Sequence, residues 1–144
     1  MATRSGSAEW RGDLKDGSGT LKVGDGVFEG PYSFASRFED GAGTNPEELL
    51  AAAHSACFAM ALSLMLSTDG HAPDSINASA RVQLRNVDGL PTIQRIELTV
   101  EGRVPGIDEA AFQDYAGKAK SGCVVSRALA GVPEIELDAT LVST

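Results

Sequence analysis

Two cysteines, with few polar side chains near them, carry most of the chemistry this sequence offers. Cys57 lies in TNPEELLAAAHSACFAMALSLML, Thr44 to Leu66, an apolar stretch in which His54 and two serines are almost the only polar company for the sulfur. Cys123 comes 66 positions later, directly after Gly122. That spacing is neither a CxxC redox motif nor a zinc-finger pattern. Free cysteine is among the most buried residue types, so two inert core thiols are one reading. The other is a redox pair, with a thiolate at Cys57 and a second thiol at a helix break that leaves it free to travel. His54 precedes Cys57 by three residues, on roughly the same helical face. Such a pair suits a metal half-site or a base-activated nucleophile. Zinc needs about three or four protein ligands, and His71, the other histidine, falls in a loop. A histidine hydrogen-bonded in the core or at an interface is therefore favoured.

A reactive Cys57 needs a cation. Desolvation in an apolar helix raises a thiol's pKa and disfavours the thiolate. Arg37, expected on the loop before the long helix, is the nearest cation in sequence; on the C-terminal side the next arginine is Arg81. An arginine stays charged when buried, and a carboxylate holds its fork. Glu47 and Glu48 are the candidates. Equally, Arg37 reads as a solvated loop residue and the glutamates as charges serving the helix dipole. From Glu47 to Cys57 a straight helix rises about 15 Å, with the two side chains roughly 80° apart. A site using Arg37, Glu47 and Cys57 together is thus expected at a dimer interface, or bridged by one long side chain. Met60, Met65, Phe58 and Leu62 are expected in the core and pocket wall, where flexible apolar surface suits an alkyl or aryl substrate.

The elements that must position these residues are readable in outline. AEWRGDLKD, GTLKV and GVFEG read as short strands joined by Gly/Asp turns, and PYSFASRFEDGAG continues that pattern into a loop at Asp40 to Gly43. The long helix follows, with Asn45 as N-cap, Pro46 at the first helical position and Glu47 and Glu48 in the first turn. Thr44 and Glu47 also have capping-box spacing. Alternation at Ile76, Ala78, Ala80, Val82 and Leu84, then at Ile96, Leu98 and Val100, predicts a hairpin turning at NVDGLP. An amphipathic helix is expected from Asp108 to just before Gly122, then a helical turn VSRALAG and a last strand EIELDATLVS. The order β-β-β, α, β-β, α, β is α+β, in one domain over residues 1–144.

Bulk properties narrow the partners. The 144 residues are 42% apolar and 22% charged, an ordinary globular balance that can bury a core without disulfides. A net charge of −8 argues against nucleic acid and anionic membrane, since no basic patch displaces counterions. Leu49 to Leu66 raises a transmembrane question, but alanines, His54, Ser55 and Ser63 and the lack of flanking Lys/Arg favour a buried central helix. With no apolar signal region at MATRSGSAEWRGD, a reducing cytoplasm is expected.

GTNPEELLAAAHSACFAMALSLML, VPGID and KAKSGCVVS together resemble the OsmC/Ohr family, over essentially the whole chain and closer to its OsmC branch than to the organic hydroperoxide resistance branch. The resemblance implies an intertwined α+β homodimer, with two long central helices wrapped by antiparallel β-sheets. It implies a thiol-dependent peroxidase of stress protection that reduces organic hydroperoxides, and inorganic ones more weakly, with no metal, flavin or haem. Residue by residue, Cys57 matches the peroxidatic cysteine, Cys123 the resolving cysteine, Arg37 the arginine that polarises the peroxide, and Glu47 the glutamate that orients it. A lipoyl-bearing protein is the reductant the family favours. One departure is visible: the family often has proline after the second cysteine, and here it is Val124. Two other readings stay open from the residues: a stress-associated dimer binding a small hydrophobic molecule, with structural or redox-sensing cysteines, and a metal-dependent hydrolase using Cys57 and His54.

Overall fold

The structure is a computed structural model that describes residues 2–143. It is α+β, with two three-stranded sheets and four helices among the described residues, and it divides into two compact units, Met1–Leu49 and Leu50–Thr144.

The first unit opens with an antiparallel meander of β1 (Gly6–Arg11), β2 (Ser18–Val23) and β3 (Phe28–Tyr32). β1 stops at Arg11, earlier than the sequence pattern predicts, because Gly12 turns the chain at φ 90° and the Asp13 carboxylate takes the Asp16 N–H. The segment expected to run from strand into loop instead holds a helix, α1 (Phe34–Phe38). Ser33 caps it and Ser36 reaches back to the Ser33 N–H, so the two serines form a capping box. Arg37 therefore stands in a helical turn rather than a loop.

The start of α2 (Pro46–Thr68) is tied to α1. Asn45 accepts the Glu48 N–H at 2.8 Å, as expected of an N-cap, and its amide donates to the Ser36 carbonyl at 3.0 Å. The predicted Thr44–Glu47 capping box does not form. The Thr44 hydroxyl bonds Glu48 instead, which leaves the Glu47 carboxylate free for another partner.

In the second unit β4 (Ser75–Val87) and β5 (Leu90–Arg103) make the expected hairpin. Its turn, Asp88–Gly89, has positive φ at both residues (52° and 83°), as a tight primed turn requires. β6 (Glu134–Leu141) then pairs with β5 in parallel, so this sheet is mixed rather than antiparallel as expected. A parallel pair needs a crossover, and α3 (Glu109–Gly122) and α4 (Val124–Ala128) supply it. Asp108 caps α3 by accepting the Ala111 N–H.

The core of this unit is a stripe of α2, Phe58, Leu62 and Leu66, packed with Leu98 and Val100 of β5 and Phe112, Ala116 and Ala119 of α3. Each large side chain buried there contributes about 1.5–3 kcal/mol. The expectation of a buried central helix holds only for that stripe; on other faces of α2 Met60 is 75% exposed and Leu64 68%. Gly102 of β5 lies under the Phe112 ring, and a Cβ there would stand 2.5 Å from it. Gly102→Ala is expected to lower stability by about 1–3 kcal/mol. Denaturant unfolding should show a lower midpoint with an unchanged slope.

Candidate active site: a pair of thiols in contact

Of the four residues singled out from the sequence, the structure brings together Cys57 with Cys123, and Arg37 with Glu47. The two pairs belong to different compact units.

Cys57 sits one residue before Phe58 of the buried stripe and is half-buried. Cys123 is 1% exposed. Their Sγ atoms are 3.0 Å apart with both cysteines free. The sequence suggests a break at Gly122, but Gly122 is helical and the break falls on Cys123 itself, at φ −59° and ψ 130°. There the chain leaves α3 and enters α4. The Cys123 N–H still bonds the Ala119 carbonyl, and its own carbonyl receives the Arg127 N–H. This thiol is held by its backbone on both sides and already touches its partner, so no travel is needed.

The amides opening α4 surround the sulfurs. Burial first, and then the hydrogen bond with Cys123, push the Cys57 thiol above its ordinary value; the Val125 and Val124 N–H groups pull it back only in part. Val124 thus keeps a donor to Cys57 that a proline would lack. Burial acts on Cys123 in the same upward sense. The neighbouring Cys57 thiol, Ser126 and the Val125 amide outweigh it and draw the Cys123 thiol below its ordinary value. With the sulfurs in contact, ionising one opposes ionising the other, and the surroundings favour the ionised form of Cys123 over that of Cys57.

His54, fully buried on α2, has Nε2 2.6 Å from the Ser126 Oγ, while its Nδ1 has no partner. It is a core histidine, as favoured from the sequence. Among the described residues no three His, Cys, Asp or Glu side chains come together as a metal site. Ser126 was not foreseen; the signal available was its place three residues after Cys123.

In the first unit the Arg37 guanidinium grips Glu47: Nη2 to Oε1 is 2.7 Å, and Nε lies 3.2 Å from both carboxylate oxygens. The Glu47 side chain is only 11% exposed. Glu47, not Glu48, is therefore the partner of Arg37. Beside it a cavity of about 420 Å³ is lined by Trp10, Leu14, Tyr32, Phe34, Arg37 and Phe38. Of the α2 residues expected in the core and pocket wall, Phe58 and Leu62 are in the core and Met65 packs against it, while Met60 is exposed. These aromatics were not singled out from the sequence; the signal available was Tyr32, Phe34 and Phe38 clustered around Arg37.

Comparison with known proteins agrees with this architecture. The family model described as OsmC-like protein matches residues 39–138. Peroxiredoxin OsmC of Escherichia coli is 50% identical over 141 residues, 97% of each chain. An organic hydroperoxide resistance protein of Xanthomonas axonopodis pv. citri is 34% identical over 98 residues, 67% of each. The crystal structure of an organic hydroperoxide resistance protein from Elizabethkingia anophelis superposes with a TM-score of 0.74 at 28% identity, covering 100% of this chain and 98% of that one. This chain belongs to the OsmC family.

Burial lowers the His54 pKa from its ordinary 6.5. As pH falls through that value the unfolded chain takes up a proton that the folded chain refuses, so stability falls with pH. Unfolding free energy is expected to drop on acidification from neutral pH, and His54→Gln should flatten the drop. Equilibrium denaturation across that pH range checks it.

Proposed function

We propose that this chain is a thiol-dependent peroxidase that reduces organic hydroperoxides, and inorganic ones more weakly, through a Cys57–Cys123 disulfide cycle. The observation that carries this reading is the 3.0 Å contact between two free thiols of unequal exposure. The names peroxiredoxin and organic hydroperoxide resistance protein, borne by relatives at 50% and 34% identity, support it. The half-exposed Cys57 thiolate attacks the distal oxygen of ROOH. The O–O bond breaks, the alkoxide takes a proton and leaves as alcohol, and the sulfur, oxidised by two electrons, becomes a sulfenic acid. Cys123 displaces hydroxide from it, forming the disulfide and, after protonation, water. An external dithiol, in this reading a lipoyl-bearing protein, reduces the disulfide by exchange. No metal, flavin or haem takes part.

Charge on Cys57 is what the first step requires, and burial opposes it. A cation must draw the pair's negative charge across the shared hydrogen bond. We assign this to Arg37, oriented by Glu47 and supplied by one protomer of a homodimer to the thiols of the other. Support comes from two features. Glu47 and Cys57 are about 15 Å apart along a single helix, and the exposed Met60 and Leu64 give α2 an apolar face for a second copy to cover. In the full reading the dimer is intertwined around its two long helices, and residues 1–144 act as one domain, a reading supported by the relative that is 50% identical over 97% of the chain. A reducing cytoplasm is its proposed setting. The rival reading, a binder of hydrophobic molecules with inert or merely sensing cysteines, gives no reason for the sulfurs to touch.

Free thiols counted before and after one equivalent of cumene hydroperoxide, with hydrogen peroxide alongside, test the reading. Both thiols should be lost rapidly, faster with the organic peroxide; two thiols still free would transfer support to the binder. In the same assay Cys57→Ser should abolish peroxide consumption, and Cys123→Ser should stop after one turnover. Arg37→Ala should slow Cys57 oxidation roughly 10- to 100-fold, the worth of one hydrogen bond to a charged group. An unaltered rate would remove Arg37 from the site.

A further inference from the structure

Aromatic residues are distributed unevenly in this chain. It has one Trp, two Tyr and five Phe, and four of these, Trp10, Tyr32, Phe34 and Phe38, line the cavity of about 420 Å³ beside Arg37. Large aromatic side chains ordinarily dominate cores. In the first compact unit, however, the fully buried hydrophobic residue among the described residues is Leu21. The rings of this unit wall a space instead of filling one.

That wall is fixed in place. Trp10 and Tyr32 have ring centroids 5.3 Å apart and Phe34 and Phe38 5.1 Å apart, both pairs tilted. Gly19 lies under the first pair, where a Cβ would overlap the Tyr32 ring and stand 2.8 Å from Trp10. The indole N–H donates to the Gly12 and Asp13 carbonyls at 3.1 and 3.2 Å, so the polar atom of Trp10 is already engaged.

Arg37 is the one charged residue in the lining. Its guanidinium lies 5.2 Å from the Phe38 ring centroid, and Glu47 takes Nε and Nη2. Nη1 has no protein hydrogen-bond partner among the described residues. Lys15 Nζ brings a second cation, 6.0 Å from the Phe34 centroid. Four aromatics also suit a cationic ligand, but two cations already sit against these rings and would repel it. A free edge of a fixed guanidinium suits a carboxylate. The volume falls at the small end of ligand pockets, about 300–1,000 Å³, which suits one small ring system.

We propose that this cavity binds a small aromatic carboxylate, with the ring among Trp10, Tyr32, Phe34 and Phe38 and the carboxylate on Arg37 Nη1. The site stands on the first compact unit alone. Its consequence for turnover rests on the peroxidase reading: the carboxylate occupies the guanidinium assigned to the thiols, so the acid competes with hydroperoxide.

Trp10 is the one tryptophan of the chain, so its emission reports on the cavity wall. Titrating the full chain with benzoate should change that emission saturably, and saturation-transfer NMR should detect the bound ring. Silence in both would overturn the proposal. Benzyl alcohol, a ring without the charge, should bind roughly 10- to 100-fold more weakly, the worth of one hydrogen bond to a charged group. Acetate, the charge without a ring, should give no signal over the same range. Equal binding of benzyl alcohol and benzoate, or tighter binding of phenyltrimethylammonium, would overturn the carboxylate assignment. Arg37→Ala should weaken benzoate by the same factor and leave benzyl alcohol unchanged; should that variant not fold, the ligand series on the unaltered chain still decides. With cumene hydroperoxide as substrate, benzoate should raise KM and leave kcat unchanged. Binding with no change in KM would overturn the competition. A chain that turns over no hydroperoxide would overturn the peroxidase reading, while the Trp10 titration still judges the site.

Discussion

The parallel pairing of β5 with β6 is the constraint on which the rest of the second unit depends. Two strands running the same way cannot be joined by a tight turn, so the chain must leave the sheet, cross over and return. α3 and α4 are that crossing, and their junction is Cys123. The α2 stripe packs in the same core, with Cys57 beside it. A cysteine in mid-helix and another at a helix junction thus come into contact through topology, and neither position needs mobility to find the other.

That contact also sets the electrostatics. Two sulfurs at 3.0 Å cannot ionise independently. The amides that open α4, with the Ser126 hydroxyl, can stabilise one negative charge, and burial discourages a second. Reactivity then becomes a question of which sulfur holds the charge at each stage. The proposed arrangement gives Cys57 a supporter in Arg37, fixed by Glu47.

Local signals in the sequence were legible where one residue type has one strong role. Asn45 and Pro46 opened α2, Asp108 opened α3, and Asp88–Gly89 turned the hairpin. The α1 helix escaped because its cue is two serines around a five-residue helix whose residues also alternate like a strand. The parallel course of β6 escaped because alternation tells which face a residue takes and nothing of strand direction. At the site, both cysteines and the Arg37–Glu47 pairing were visible as residue types. The choice between Glu47 and Glu48 was decided by the Thr44 hydroxyl, which occupies Glu48. Ser126 was invisible because a hydroxyl acquires meaning only from what it meets, here a histidine on another helix.

The unequal burial of two touching thiols has a further consequence for damage. Bulk oxidant reaches the half-exposed Cys57 and is excluded from Cys123. In the proposed cycle, Cys57 once oxidised is open to a second peroxide, which would carry it irreversibly to sulfinic acid. That peroxide competes with a neighbour in place, whose effective concentration, as for other well-oriented intramolecular partners, lies on the order of 10⁵ M or more. In the proposed cycle such a pair does not trade speed against survival: it keeps turning over in an oxidant surge, and its ceiling under stress becomes the supply of dithiol.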